Sequence, residues 1–462
     1  MFIIPFALSL GVFHCPALAE YRAVAKLSQE RRAVVAGLDR KVDGLFSLEQ
    51  RLAQYLDSPD PKVRLAAVRG FSVTHSKITD SYGIERQVVR LIQSDPDATV
   101  RKEAIALVRH QRYEESVLAV VECLADPDIG VRDAAAYWFN CYPVRPDIAV
   151  PALVKYLTSA LEEGETSSVN QAVSAFWSFG ASAAEAVPTV LRVTEYPSAE
   201  VRRWAFRTLS HIARDREAMA KEFAKRFIHA NRKLYDPDRV AALSAAPNLG
   251  PAAAVFVTDY LRYLHADLLG EPVPPKGTAN PARDMLWALW KLGPVAKNAG
   301  PELVKLVARA DDKYPLRGQL AVCALVVGVT DEADLKVLAK VLAAKDGQEW
   351  IIRELSIGDR FPQFRRQADK LCRLIAAEWD TDSIPEETFR QSKRLAEALG
   401  ADGAGLLPFL DKIAGVAGPP EGTDFESQRR RSEYFSREGQ AAAGAKFIRA
   451  AIDRKRATPK NR

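Results

Sequence analysis

The sequence predicts an all-α fold, a right-handed α-solenoid of stacked antiparallel helix pairs. The first observation behind this is a recurring phrase, V-R-x-x-A, whose valines are spaced by 37, 31, 38 and 32 residues. The second is a Gly-to-Pro spacer that recurs later in the chain. The third is composition: 462 residues that are 48% hydrophobic and 27% charged indicate a folded chain, too long for one compact core. A period in the thirties indicates one helical hairpin per repeat.

Each copy of the phrase predicts one amphipathic helix. In the clear copies an alanine follows the valine by four residues and a large apolar residue follows it by eight, so all three share one helical face. The valines of the five copies are Val63, Val100, Val131, Val169 and Val201. The fourth copy has Asn170 in place of arginine and an insertion at 161–168, which is expected to be a loop.

The turn before each of these helices is predicted from proline and aspartate. A proline fixes φ and stops the preceding helix, and an aspartate three residues before the valine caps the next one. These residues are Pro59, Pro96 and Pro127, with Asp60, Asp97 and Asp128. Upstream of the first copy, the stripe in SLEQRLAQYL predicts a partner helix from Ser47. The repeat is therefore helix, turn, helix, short loop.

The spacer marks the other end of the repeat. A glycine that closes one helix is followed eight residues later by a proline in the first turn of the next. The three pairs are Gly180 with Pro188, Gly293 with Pro301 and Gly400 with Pro408. They continue the repeat pattern where V-R-x-x-A fades, although a remnant survives at 316–320.

With these phrases and spacers, the chain resembles HEAT-repeat proteins, and more closely the bacterial HEAT-like type also seen in phycobilin-lyase subunits. In such proteins the repeated arginines and aspartates form a ladder between neighbouring repeats. The positions that match it are Asp60, Arg64, Asp97, Arg101, Asp128, Arg132 and Arg202. The resemblance implies a structural role for them; the alternative is an arginine stripe directed at phosphate.

The rest of the chain divides as follows. Residues 1–19 read as a signal peptide, because an apolar run precedes Ala17-Leu18-Ala19, although no Lys or Arg precedes the run. This predicts a secreted or periplasmic protein, and otherwise a cytoplasmic one with a buried first helix or a mis-assigned start. The remaining segments are a capping helix at 20–46, well-formed repeats at 47–269, a Pro/Gly-rich linker at 270–282, degenerate repeats at 283–414 and a basic tail at 415–462. Between Arg429 and Arg462 the net charge is +8, so the rest of the chain sums to −2.

No motif for catalysis, a metal or a cofactor is present, and the histidines are scattered singly. Neither an enzymatic activity nor a cofactor is therefore expected. Trp287 and Trp290 are interpreted as core residues, with ligand stacking as the alternative. A disulfide between Cys123 and Cys141 is left open. The sequence contains no apolar segment expected to span a membrane.

The functional prediction is a non-enzymatic scaffold that binds a protein or peptide on a concave surface lined by the second helix of each pair. Candidate contacts on that surface are Arg69, Lys102, Arg203 and Arg207. The basic tail offers a contact for an acidic surface. The alternatives are a DNA-binding or DNA-glycosylase-like HEAT protein, which the neutral body and predicted export argue against, and a lyase-like accessory subunit, which rests on fold analogy.

Overall fold

The computed structural model describes residues 23–29, 52–72, 84–108, 114–229, 233–270, 281–344, 362–379, 394–395, 399–414, 441 and 444–453. The predicted signal peptide and most of the predicted capping helix, linker and tail lie outside these residues. Within them the secondary structure is helical and contains no strand, which confirms the all-α prediction. The chain forms two compact units, Met1–Arg214 and Asp215–Arg462.

Unit 1 is a stack of helix pairs. Its helices are α1 Pro61–Ser72, α2 Ile84–Ser94, α3 Ala98–Ile105, α4 Glu114–Glu122, α5 Ile129–Cys141, α6 Pro146–Glu163, α7 Thr166–Phe179, α8 Val187–Val193 and α9 Ala199–Ile212. The 3₁₀ turn Gln54–Asp57 precedes α1 and pairs with it. The odd-numbered helices stack on one another as the second-helix layer, and the even-numbered ones form the first-helix layer.

The core of unit 1 lies between these two layers. All five repeated valines are fully buried, as are the alanines that follow four of them. Full burial of one such valine side chain stabilises the fold by about 1.5–3 kcal/mol. The period read from the sequence is therefore the period of the core, and each repeat buries its apolar stripe against its neighbours.

Short polar side chains fix where the second helices begin. Asp97 Oδ1 accepts hydrogen bonds from the backbone N–H groups of Thr99 and Val100 at 2.7 and 3.3 Å. Asp128 caps α5 in the same way, and Ser198 replaces the aspartate at the start of α9. These caps satisfy donors that the first turn of a helix leaves without partners.

Unit 2 continues the pattern in its own stack. Its helices are α10 Arg216–Phe223, α11 Pro237–Ala245, α12 Val257–Leu268, α13 Pro281–Leu292, α14 Gly300–Arg309, α15 Arg317–Val327, α16 Glu332–Leu342, α17 Pro362–Glu378 and α18 Leu407–Ala414. From α12 to α15 each helix packs against the one two places along the chain.

The predicted spacers are tight glycine turns. Gly180 and Gly293 adopt φ of 55° and 53°, and each opens a 3₁₀ segment that leads into the next helix. Gly250, with φ of 62° and ψ of −134°, is a further copy. It escaped the sequence pattern because Thr258, and not proline, follows it by eight residues.

The insertion at 161–168 is not a long loop. Helix α6 continues to Glu163, Gly164 turns the chain with φ of 73°, and α7 begins at Thr166. The two helices remain directly paired. The extra residues therefore lengthen a helix and add one glycine turn, which is why the stack continues through this repeat.

One helical stretch, Pro237–Leu268, has the length and apolar composition of a membrane span. It is interrupted at Gly250, and its large side chains, including Phe256, Tyr260 and Tyr263, are buried in unit 2. These contacts account for its apolar composition as core packing.

Part of the predicted basic tail packs on unit 2. Residues 444–453 are helical, and Ala445 and Ile448 in this segment are buried. The guanidinium of Arg449 donates to the carboxylate of Asp411 on α18. In this segment a basic side chain meets an acidic residue of the chain itself.

Candidate functional site

The repeated arginines join one repeat to the next. The Nε and Nη2 groups of Arg64 donate to both carboxylate oxygens of Asp95 at 2.7 and 2.8 Å. Arg101 makes the same two-pronged contact with Asp126, both bonds being 2.8 Å. These hydrogen bonds raise the pKa of each guanidinium above its usual value. Each pair links two consecutive repeats through a buried or nearly buried ion pair.

The remaining donor of each arginine closes the turn before its own helix. Nη1 donates to the carbonyl of the residue six positions earlier, at 2.8–3.0 Å in all four repeats. Arg132 then reaches Glu163 at the end of α6, at 3.0 Å. In Arg202 the Nη1 group also bonds the carbonyl of Pro197. Each arginine thus ties a turn to the body of its own repeat. Arg64, Arg101 and Arg132 also tie it to the next repeat.

The observed carboxylate partners differ from the expected ones. Asp97 and Asp128 cap their helices, and Asp60 accepts a hydrogen bond from the backbone N–H of Lys62. The carboxylates in the ladder are Asp95 and Asp126, each two residues earlier in the same turn. The cap position points along its own helix, whereas the earlier position faces the arginine of the preceding repeat.

The four candidate contact residues are all exposed on the second-helix layer. Arg69 pairs with Glu103 of the next repeat at 2.9 Å, so its charge is neutralised. Arg203 and Arg207, both on α9, form no ion pair with any described residue. Lys102 lies on α3, away from α9. The structure therefore places two of the four on one helix with free cationic groups.

Exposed aromatic side chains surround these arginines. The indole of Trp204 is 36% exposed, with the guanidinium carbon of Arg207 5.3 Å from the ring centroid. The indole of Trp177, on α7, is 43% exposed and stacks on the imidazole of His211, with centroids 5.2 Å apart and planes at 22°. We call the set Arg203, Trp204, Arg207, His211 and Trp177 the aromatic face.

The sequence reading missed most of this face. Trp177 occupies the large apolar position of the degenerate fourth copy, eight residues after Val169. Trp138, on α5, is buried by contrast, and it donates its indole N–H to the carbonyl of Val108. The available signal was the helical spacing of Trp204, Arg207 and His211, which puts them on one side of α9.

Unit 2 has an exposed tryptophan of its own. Trp287 is 48% exposed, with the Lys291 ammonium 5.0 Å from its ring centroid. The core interpretation of this residue is therefore wrong. It lies on the side of α13 opposite Met285 and Leu289, which are fully buried.

Cys123 and Cys141 are both free thiols. Cys123 is buried, with its sulfur 3.8 Å from the carbonyl oxygen of Ile92, and burial raises its pKa to about 12. Cys141 is exposed at the end of α5, where its hydrogen bond with Tyr137 raises the pKa of that phenol. One thiol faces the core and the other faces solvent, so no disulfide joins them.

Among the described residues, the histidines outside the aromatic face are His229 and His265, and each lies against a carboxylate. His229 lies 3.1 Å from a carboxylate oxygen of Asp259, and His265 lies 2.8 Å from Glu302. Among the described residues no three His, Cys, Asp or Glu side chains come together as metal ligands.

The sequence model described as HEAT repeats matches residues 48–140. The similarity to this family is thus confined to residues 48–140. The match covers the first three copies of the phrase, and in the structure the stack of helix pairs continues to α9. No match is found among curated proteins.

Solved structures resemble the chain only loosely. Importin beta is 13% identical with a TM-score of 0.48, and the match covers 96% of this chain and 60% of that one. Kap121p bound to Nup53p is 12% identical with a TM-score of 0.46, over 95% and 54%. An engineered protein is 15% identical with a TM-score of 0.35, over 91% and 99%. The chain thus spans less than two thirds of importin beta and of Kap121p.

Proposed function

We propose that the protein is a non-enzymatic HEAT-repeat scaffold that binds a protein partner through the second-helix layer of unit 1. The observation that carries the proposal is the aromatic face. Two large indoles from adjacent helices are exposed there, and each is held against a planar cationic or imidazole group. Tryptophan and arginine are the residue types most often responsible for binding energy at protein interfaces.

Pre-organisation strengthens this assignment. The stacking partners restrict the indole rings before a ligand arrives, so less side-chain entropy is lost on binding. The helices beneath are also fixed: Asp133 of α5 accepts hydrogen bonds from Ser168 of α7 and from Tyr156 of α6. The contact groups therefore stand on a rigid support.

Single-stranded nucleic acid is the second candidate, because exposed aromatics beside arginines also stack bases. The low net charge of the chain, +6 over 462 residues, argues against it. The two candidates differ in their response to salt, since binding to nucleic acid weakens steeply as salt is raised.

The test is affinity capture from the source organism with quantitative mass spectrometry. The bait proteins are the parent chain, a Trp177→Ala/Trp204→Ala variant and a control, Leu118→Ala, whose exposed side chain lies on α4 in the opposite layer. We expect a protein enriched by the parent and the control and lost with the double variant. Equal enrichment of that protein by all three baits would refute the assignment of partner binding to the aromatic face. Salt-sensitive recovery of nucleic acid by the parent and the control, lost with the double variant, would favour the second candidate.

We also propose that the scaffold acts outside the cytoplasm, as its first 19 residues predict. N-terminal sequencing of the protein purified from its source would test this. A mature chain that begins at or near Glu20 is expected. A chain that retains residues 1–19 would contradict export by this signal.

A further inference from the structure

We infer that the aromatic face binds an acidic, proline-containing segment of its partner in the polyproline II conformation. The inference rests on the proposed function and narrows the partner to one kind of peptide. Three properties of the face point to it: the spacing of the aromatic platforms, the excess of unused hydrogen-bond donors, and the unpaired positive charge between the platforms.

The spacing selects between peptide conformations. Trp204 and His211 are seven residues apart on α9, which corresponds to about 10.5 Å along the helix. Because Trp177 stacks on His211, the face has two flat platforms that are anchored at backbone positions about that far apart along α9. A polyproline II helix rises about 3.1 Å per residue with three residues per turn, so side chains three apart point the same way about 9 Å apart. A β-strand places same-side residues about 6.6 or 13 Å apart and fits less well.

The hydrogen-bonding groups favour a polyproline II ligand over a helical one, although the i and i+7 positions of a helix would match the spacing. The face presents donors: the indole N–H groups of Trp177 and Trp204 and the guanidinium groups of Arg203 and Arg207 have no hydrogen-bond acceptor among the described residues. On α9 the single acid, Glu200, lies in the first turn. A helix has already used its backbone carbonyls, whereas a polyproline II segment leaves them free and its prolines offer no N–H. An acceptor-rich backbone complements a donor-rich surface.

The charge between the platforms specifies the residues between the prolines. The Arg207 guanidinium lies over the Trp204 ring, and residue 207 falls between Trp204 and His211 on α9. Arg203 is the neighbour of Trp204 in the chain and is also exposed. Neither is neutralised by a described carboxylate, in contrast to Arg69, which pairs with Glu103. Carboxylates placed between two prolines would meet these guanidinium groups in charge-assisted hydrogen bonds. Proline rings stack on aromatic platforms in known polyproline II recognition.

The test uses the full chain and synthetic peptides in a titration followed by fluorescence anisotropy. The probe is a peptide of three Pro-Glu-Glu repeats, which places prolines three residues apart with acids between them. One control replaces proline by alanine, a second replaces glutamate by lysine, and a third probe is oligodeoxythymidine. We expect the first peptide to bind, and each of the two peptide controls to bind at least about tenfold more weakly.

Protein variants assign the binding to the face. Trp204→Ala and Arg207→Gln are expected to weaken binding of the first peptide by about tenfold each, whereas Leu118→Ala and Trp287→Ala should leave it unchanged. Circular dichroism verifies that each variant is folded. Arg207→Lys keeps the charge but loses the planar stack, and an intermediate loss is expected.

The outcomes separate this inference from the proposed function. If the alanine peptide binds as tightly as the proline peptide, the polyproline II assignment is refuted. If no peptide binds but the captured protein still depends on Trp177 and Trp204, the scaffold assignment stands and this inference fails. If oligodeoxythymidine binds more tightly than the peptide and requires Trp204, both are overturned in favour of nucleic acid.

Discussion

Removing Asp95 should destabilise unit 1 far more than removing an exposed acid from the same layer. The side chains of Arg64 and Asp95 are 9% and 1% exposed, and Asp95 accepts both guanidinium bonds. Asp95→Ala leaves the guanidinium buried without its counter-charge, which costs about 3–5 kcal/mol. The matched control is Glu103→Ala, which breaks the Arg69 pair, whose side chains are 56% and 31% exposed. An exposed pair contributes about 0–1 kcal/mol.

Urea denaturation followed by circular dichroism would measure both variants. Because repeats couple mainly to their neighbours, unfolding of the whole chain need not be two-state. Hydrogen exchange with mass spectrometry is therefore read separately for α1 and α3. Faster exchange confined to these helices and their immediate neighbours is expected for Asp95→Ala.

Two results bear directly on the reasoning. An Arg64→Met/Asp95→Leu variant removes both charges and should recover most of the lost stability, since no unpaired ion remains. If Asp95→Ala costs no more than Glu103→Ala, the ladder is not a determinant of stability and the argument from burial is wrong.

Three further predictions concern the turns and thiols of unit 1. Gly180→Ala should destabilise the protein by about 1–3 kcal/mol, because φ of 55° with ψ of −140° is a conformation that only glycine adopts easily. Gly164→Ala, in an open left-handed turn, should cost about 1 kcal/mol. The urea midpoints of the two variants test this difference, and equal midpoints would contradict it. At pH 8 Cys141 should react with iodoacetamide well before Cys123, whose burial and raised pKa of about 12 keep it protonated. Peptide mass spectrometry identifies the modified thiol. Equal labelling of the two thiols would show that the chain opens readily at the end of α4, which Cys123 directly follows. Glu163→Ala should cost less than about 1 kcal/mol by urea denaturation, because that carboxylate is 44% exposed, and a loss as large as that of Asp95→Ala would contradict this.

The fold was predictable because the sequence of each repeat contains, within a short stretch, the residues that begin its second helix and define the buried face of that helix. Val100 and Ala104 identify the buried face of α3, and Asp97 identifies its first turn; all three occupy the predicted environments. Val108 is buried, but it lies beyond the end of α3 at Ile105 and not on the helix as predicted. Such local patterns can be recognised in a single sequence because the same pattern recurs at a regular interval. Gly250 escaped because one residue of its pattern is replaced.

The candidate site was predicted only in part, because its members come from different repeats. Arg203 and Arg207 could be placed on an exposed helix face from spacing alone. The contact between Trp177 and His211 joins residues 34 apart, and their pairing depends on how α7 packs against α9. For the same reason the sequence suggested Asp97 as a ladder residue when the structure uses Asp95: both aspartates share one turn, and only the packing of the preceding repeat distinguishes them.

The ladder has a consequence for deletions. Asp95 receives the arginine of the previous repeat, and Asp126 receives Arg101 in the same geometry. Excision of residues 95–125 would therefore bring Asp126 to the position vacated by Asp95, next to Arg64. A protein shortened by that whole module keeps a complete set of ion pairs, whereas a deletion of the same length begun midway through a helix does not. The number of repeats can therefore change, whereas the direction of the ladder, from the arginine of one repeat to the aspartate of the next, stays the same.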